Sequence, residues 1–114
     1  MPILKITTDF PHAQIPADFL AKTSALVAKL TGKPESYVQV ILQPDSLMSF
    51  GGKNAESAYL EFGSIGGFGN KTNKMAGELT NLVNSELKIS KDRFYIKFSP
   101  IDATELSFNG QTFA

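Results

Sequence analysis

Residues 31–42, Thr31-Gly32-Lys33-Pro34-Glu35-Ser36-Tyr37-Val38-Gln39-Val40-Ile41-Leu42, carry the chain out of one regular element and into another. Gly32 supplies the left-handed residue that commonly ends a helix, and Pro34 follows where a helix cannot continue. Upstream, Phe19, Thr23, Leu26, Val27 and Leu30 fall at i, i+4, i+7, i+8 and i+11, the stripe of an amphipathic helix. Pro16 suits its first turn, and Asp18 favours the positive end of its dipole. Downstream, Tyr37–Leu42 reads as a strand, polar only at Gln39 and closed by Pro44-Asp45. Residues 2–8 form an earlier β-type run closed by Phe10-Pro11, so this half reads β-α-β.

The second half repeats the plan. Ala58-Tyr59-Leu60-Glu61-Phe62 predicts a strand, and Gly63 to Gly69 a flexible loop. A helix follows from about Asn73, with Met75, Leu79, Leu82, Val83 and Leu87 on its buried stripe. Phe94-Tyr95-Ile96-Lys97-Phe98 alternates cleanly as a strand. Leu26, Leu30 and Tyr37 map onto Val83, Leu87 and Phe94 at one offset of 57 (87 − 30). Residues 1–114 therefore read as a single domain of two pseudo-repeats, about 2–57 and 58–114. Asn109-Gly110 marks a hairpin near the end. Right-handed crossovers place both helices on one face of a four-stranded mixed sheet in an α/β (α+β) chain. The apolar run Tyr37–Leu42 is what a sheet covered on both sides shows. One chain leaves that second face bare, and a closed ring of copies would cover it and remove the open edges.

Composition narrows the function. Of 114 residues, 42% are hydrophobic and 19% charged, as in a folded domain. Eleven basic residues balance eleven acidic ones, so no field of one sign recruits nucleic acid or an anionic membrane. Cysteine is absent, which removes disulfide and thiolate chemistry. The N-terminus lacks the apolar core of a signal peptide, and the cytoplasm is the expected compartment. His12, the one histidine, lies in a proline-rich turn, and no spacing suggests a metal or other cofactor. Gly66-Gly67-Phe68-Gly69 lacks a phosphate-binding register. Ser64 lacks the glycine spacing of a nucleophile elbow.

Pro2 offers different chemistry. Removal of Met1 would leave it as a secondary amine, and an α-amino group titrates near ~7.7–8.0. Burial or a nearby cation makes such an amine neutral at pH 7, and a neutral amine is a general base. A proline opening a strand also has a bland reading, because its missing N–H costs nothing there. Lys33 likewise reads either as a cation at a helix C-terminus or as an anion ligand beside Pro2. At ~7 Å and an effective dielectric of ~20, it would oppose protonation of the amine by about 2.4 kcal/mol.

Thr31-Gly32-Lys33-Pro34, Pro44 to Gly52, Ser64-Ile65-Gly66, Ile89 to Ile96 and the terminal Thr112-Phe113-Ala114 together resemble the macrophage migration inhibitory factor family. The resemblance spans Pro2 to Ala114 and implies a tautomerase-superfamily homotrimer with sites at subunit boundaries. It implies tautomerisation of phenylpyruvate-type keto/enol acids and dopachrome-like model substrates, with Pro2 as the base. Lys33 and the backbone N–H of Ile65 are then ligands of the substrate's polar end. Tyr95 comes from the neighbouring subunit, and Tyr37, Leu106, Phe108 and Phe113 line an aromatic wall. The alternative it implies is a cytokine-like, receptor-binding protein with a vestigial pocket, reached by non-classical secretion. The chain departs from the animal members at four places. Ser57-Ala58-Tyr59-Leu60 replaces their Cys-x-x-Cys, which excludes thiol–disulfide activity. Gly63 replaces a histidine, Lys97 an asparagine and Phe108 a tryptophan, changes that bear on substrate preference.

Overall fold

Strand β1 (Pro2–Thr8) lies at the centre of the molecule, parallel to β2 (Gln39–Gln43) on one side and antiparallel to β3 (Ala58–Ile65) on the other. Strand β4 (Phe94–Ile101) runs parallel to β3, giving the order β2-β1-β3-β4. Helix α1 (Phe19–Thr31) connects β1 to β2, and α2 (Thr72–Leu87) connects β3 to β4. A short hairpin, β5 (Ser107–Phe108) and β6 (Gln111–Thr112), ends the chain; its Asn109 and Gly110 both have positive φ, as a tight two-residue turn requires. This computed structural model describes all residues 1–114.

Both helices bury their apolar stripes on the same sheet face. Phe19 and Val27 of α1 and Met75, Leu79, Val83 and Leu87 of α2 share one core with Leu4, Ile6, Leu60 and Phe62. Phe62 packs within it against the rings of Phe68, at a centroid distance of 5.1 Å, and Phe98, at 6.0 Å. Thr23 is tolerated inside because its Oγ1 donates to the carbonyl of Phe19 at 2.7 Å. The stripes are narrower than the periodicity suggests: Leu26, Leu30 and Leu82 are half-buried. Pro16 stands outside the helix, its carbonyl accepting from the N–H of Phe19. Asp18 caps nothing with its side chain and instead pairs with Lys22 at 3.3 Å. Lys22 also reaches Glu86 at 3.4 Å, linking α1 to α2.

Burial corrects the repeat offset. Phe19, Thr23 and Val27 correspond to Met75, Leu79 and Val83, an offset of 56 (75 − 19) and not 57. The helix-ending residues in left-handed conformation, Gly32 and Lys88, keep the same spacing. Half-buried Leu26 and Leu30 had been aligned with fully buried partners, which moved the match by one residue.

Two further expectations give way. Tyr37 belongs to a 3-10 turn, and β2 begins only at Gln39. Gln39, Ile41 and Gln43 are exposed while Val40 and Leu42 are half-buried, so β2 is a one-sided edge strand. Gly63, Ser64 and Ile65 are not loop; they complete β3, because Ile3 and Pro2 of β1 pair with Gly63 and Ser64, and Ile101 of β4 pairs with Ile65. The open face of the sheet is polar through its middle row, where Lys5 stands opposite Glu61 and Glu61 opposite Lys97. Strand β4 runs three residues beyond Phe98 and includes Pro100, tolerated because β4 is an edge.

Candidate active site

Pro2 is buried at the start of β1, directly opposite Ser64. With Met1 attached its nitrogen is an amide, and the chain's free amine sits one residue earlier. That amine reports the local field. Its pKa is lowered from 8.0, first by burial and second by the charge of Lys33. Lys33 takes no part in the chain's two ion pairs, both of which belong to Lys22. Helix chemistry places it: Gly32 turns left-handed at φ 69°, and Thr31 Oγ1 accepts from the Lys33 N–H at 3.3 Å.

Two clefts are lined by neighbours of Pro2. The first, of about 280 Å³, is lined by Met1, Ile3, Tyr37, Val38, Gln39, Leu106, Phe108 and Phe113. Its aromatic wall holds together edge to face, with Tyr37 5.6 Å from Phe108 and 6.2 Å from Phe113. The tail is fixed in place by the Phe113 N–H, which lies 3.1 Å from the carbonyls of both Ala103 and Leu106. The second cleft, of about 330 Å³, is lined by Lys33, Ser64, Ile65 and Gly66 among others. Met1 and Ile3, the chain neighbours of Pro2, line the first; Ser64, its register partner, lines the second. Gly66, at φ 82°, turns the chain just after Ile65.

The model of the macrophage migration inhibitory factor (MIF) family matches residues 1–114. The chain belongs to this family. A Brugia malayi MIF homolog is 44% identical over 114 residues, covering 99% of each chain. The Mus musculus factor is 37% identical over 115 residues, covering both chains completely. Among solved structures, MIF from Trichinella spiralis superposes with a TM-score of 0.93 at 37% identity, over 97% of this chain and 99% of that one. A Prochlorococcus marinus MIF homologue gives 0.90 at 32% identity, over 98% and 99%. MIF proteins belong to the tautomerase superfamily, and membership supports isomerase chemistry in general terms.

Of the residues singled out in this MIF chain, only Tyr95 stands apart. It is 69% exposed and pairs by register with Tyr59, which itself faces Thr7 near the far end of β1 from Pro2. One chain therefore does not bring Tyr95 to its own Pro2. Its ring packs on Phe50 at 5.1 Å, and Phe50 in turn lies under the guanidinium of Arg93 at 5.5 Å. Sequence reasoning missed Arg93, which donates to the carbonyls of Phe50, Lys53, Ala55 and Glu56 and so shapes the segment beneath Tyr95. It also missed Ile3 and Gln39, whose pairing across β1 and β2 forms the floor of the aromatic cleft. A Cβ at Gly63 would stand 2.8 Å from Ile101 Cδ1, the tip of a half-buried side chain that can turn aside. No group of three His, Cys, Asp or Glu side chains converges as a metal site would. No helix is long and apolar enough to cross a membrane.

Proposed function

We propose that this chain is a keto–enol tautomerase of phenylpyruvate-type α-keto acids, with Pro2 as general base once Met1 is removed. The observation that carries the reading is that Pro2 pairs with Ser64, which shares a cleft with an unpaired Lys33, and burial and Lys33 both lower the pKa of the Met1 amine one residue earlier. After Met1 is lost the amine becomes that of Pro2, one residue deeper, where burial is greater. The neutral secondary amine then takes a proton from the carbon next to the substrate's carbonyl. The electron pair left behind forms the carbon–carbon double bond, and negative charge moves to the carbonyl oxygen. Lys33 and the Ile65 N–H stabilise that charge and the carboxylate, and the enolate oxygen then takes up a proton. Tyr37, Leu106, Phe108 and Phe113 hold the aromatic end and exclude water, which strengthens the effect of Lys33. Dopachrome-like compounds fit the same chemistry as model substrates.

Completion of the site from a second copy follows from Tyr95. Its ring is exposed, it does not reach Pro2 in its own chain, and β2 and β4 both have unpaired outer edges. A homotrimeric ring satisfies all three conditions. The test is ultraviolet absorbance of enol–keto interconversion with phenylpyruvate, using protein whose intact mass shows Met1 removed. Turnover above the buffer rate is the expected result. A receptor-binding protein with a vestigial pocket predicts none.

A further inference from the structure

Tyr95 and Lys97 are separated by one residue on β4, and both are exposed on the sheet face turned away from the helices. Alternate residues of a strand share a face, about 6.6 Å apart. Any surface that receives Tyr95 therefore receives Lys97 beside it. Lys97 forms no ion pair. Its cross-strand neighbour is Glu61, but Glu61 is also opposite Lys5. On this row one carboxylate stands between two ammonium groups, so the row carries excess positive charge. Tyr59 and Tyr95 stand one row away on the same face.

Resting on the reading above, in which a neighbouring copy's Tyr95 completes the site, we propose that Lys97 of that copy enters the site as a second cation beside Lys33 and selects dianionic α-keto acids, those carrying a second carboxylate. Lys33 meets the carboxylate next to the keto group. Lys97, arriving on a different strand from a different chain, meets charge at the other end of the molecule. A lysine is a flexible point charge, so it rewards a second anion without demanding one planar geometry. A neutral side chain at this position would leave that end of the cleft to the aromatic wall alone.

The experiment compares phenylpyruvate with para-carboxyphenylpyruvate and reads the ratio of their kcat/KM values within each preparation, which cancels any loss of folded protein. Lys97→Gln lowers the ratio of dianion to monoanion roughly tenfold, the worth of one charge-assisted contact. Lys97→Arg retains most of it. Glu61→Gln raises it, because the competing carboxylate is gone. A ratio that stays within about twofold in Lys97→Gln overturns the proposal. The same ratio is read by calorimetry as dissociation constants for hydrocinnamate and para-carboxyhydrocinnamate, which undergo no reaction. If the wild type turns over neither keto acid, the tautomerase reading fails while these constants still decide the role of Lys97.

Discussion

Pro2 faces Ser64 across the antiparallel pair of β1 and β3, and this one register position brings the start of the chain to the end of β3, where Ile65 leads into the turn at Gly66. Lys33 lines the same cleft from the end of α1. Three segments distant in sequence thus meet at one end of the sheet, while Tyr95 is held toward the other.

Lys33→Ala acts on binding and on basicity together. With Met1 in place, the ammonium is one of two causes that lower the pKa of the Met1 amine, the larger being burial. The base works in its neutral form, so a lowered pKa extends activity to lower pH. Without Lys33 the acid limb of the pH–rate profile moves to higher pH, because the cation that opposes protonation at this end of the chain is gone while burial remains. KM rises about tenfold through the lost charge-assisted contact. A raised KM with an unmoved acid limb would make Lys33 a binding residue only.

Arg93→Ala removes donors from four backbone carbonyls, at 2.8 Å from Glu56, 2.9 Å from Ala55 and 3.1 Å from Phe50 and Lys53. Partial exposure limits the loss to about 2 kcal/mol in urea unfolding. Lys in its place recovers little, since a single ammonium cannot span the fork of acceptors. A loss below about 0.5 kcal/mol would show the segment to be held by other contacts.

Ser57→Ala has the opposite sign. The Ser57 backbone is well used, its carbonyl accepting from Thr8 Oγ1 at 2.7 Å and its N–H donating to Asp9 Oδ1 at 3.1 Å. Its own Oγ is buried without a partner. Removing that hydroxyl stabilises the protein by about 1 kcal/mol in chemical denaturation. A comparable loss of stability would contradict this account.

The β-α-β plan was legible because each element obeys its own period and announces its end. Phe19 and Val27 fall on one helical face, Gly32 ends that helix, and Asn109-Gly110 turns the hairpin. Gly63-Ser64-Ile65 read as loop because glycine and serine are poor strand formers; pairing with β1 overrides that preference. Pro2 and Lys33 stand out in the sequence by their chemistry, and Ile65 and the aromatic wall by resemblance, but their division between two clefts depends on long-range packing. The task of Arg93 was invisible, since its acceptors lie 37 to 43 residues away in the chain. The placement of Tyr95 outside its own site followed from family resemblance, and alternation alone would have called it surface.

Assembly gives a mass test. The homotrimer proposed above would have a mass of roughly 37 kDa, three times 12.4 kDa. Sedimentation at micromolar protein should give that single species. A stable monomer would remove the second copy on which the complete site depends.

The central claim is that the nitrogen of Pro2 is the base, and it is tested by phenylpyruvate turnover in two preparations distinguished by intact mass. Protein lacking Met1 carries a free secondary amine and is active. Protein retaining Met1 has an amide at Pro2, without a basic lone pair, and its rate equals that of buffer. Substantial turnover by fully Met1-retaining protein would contradict the account.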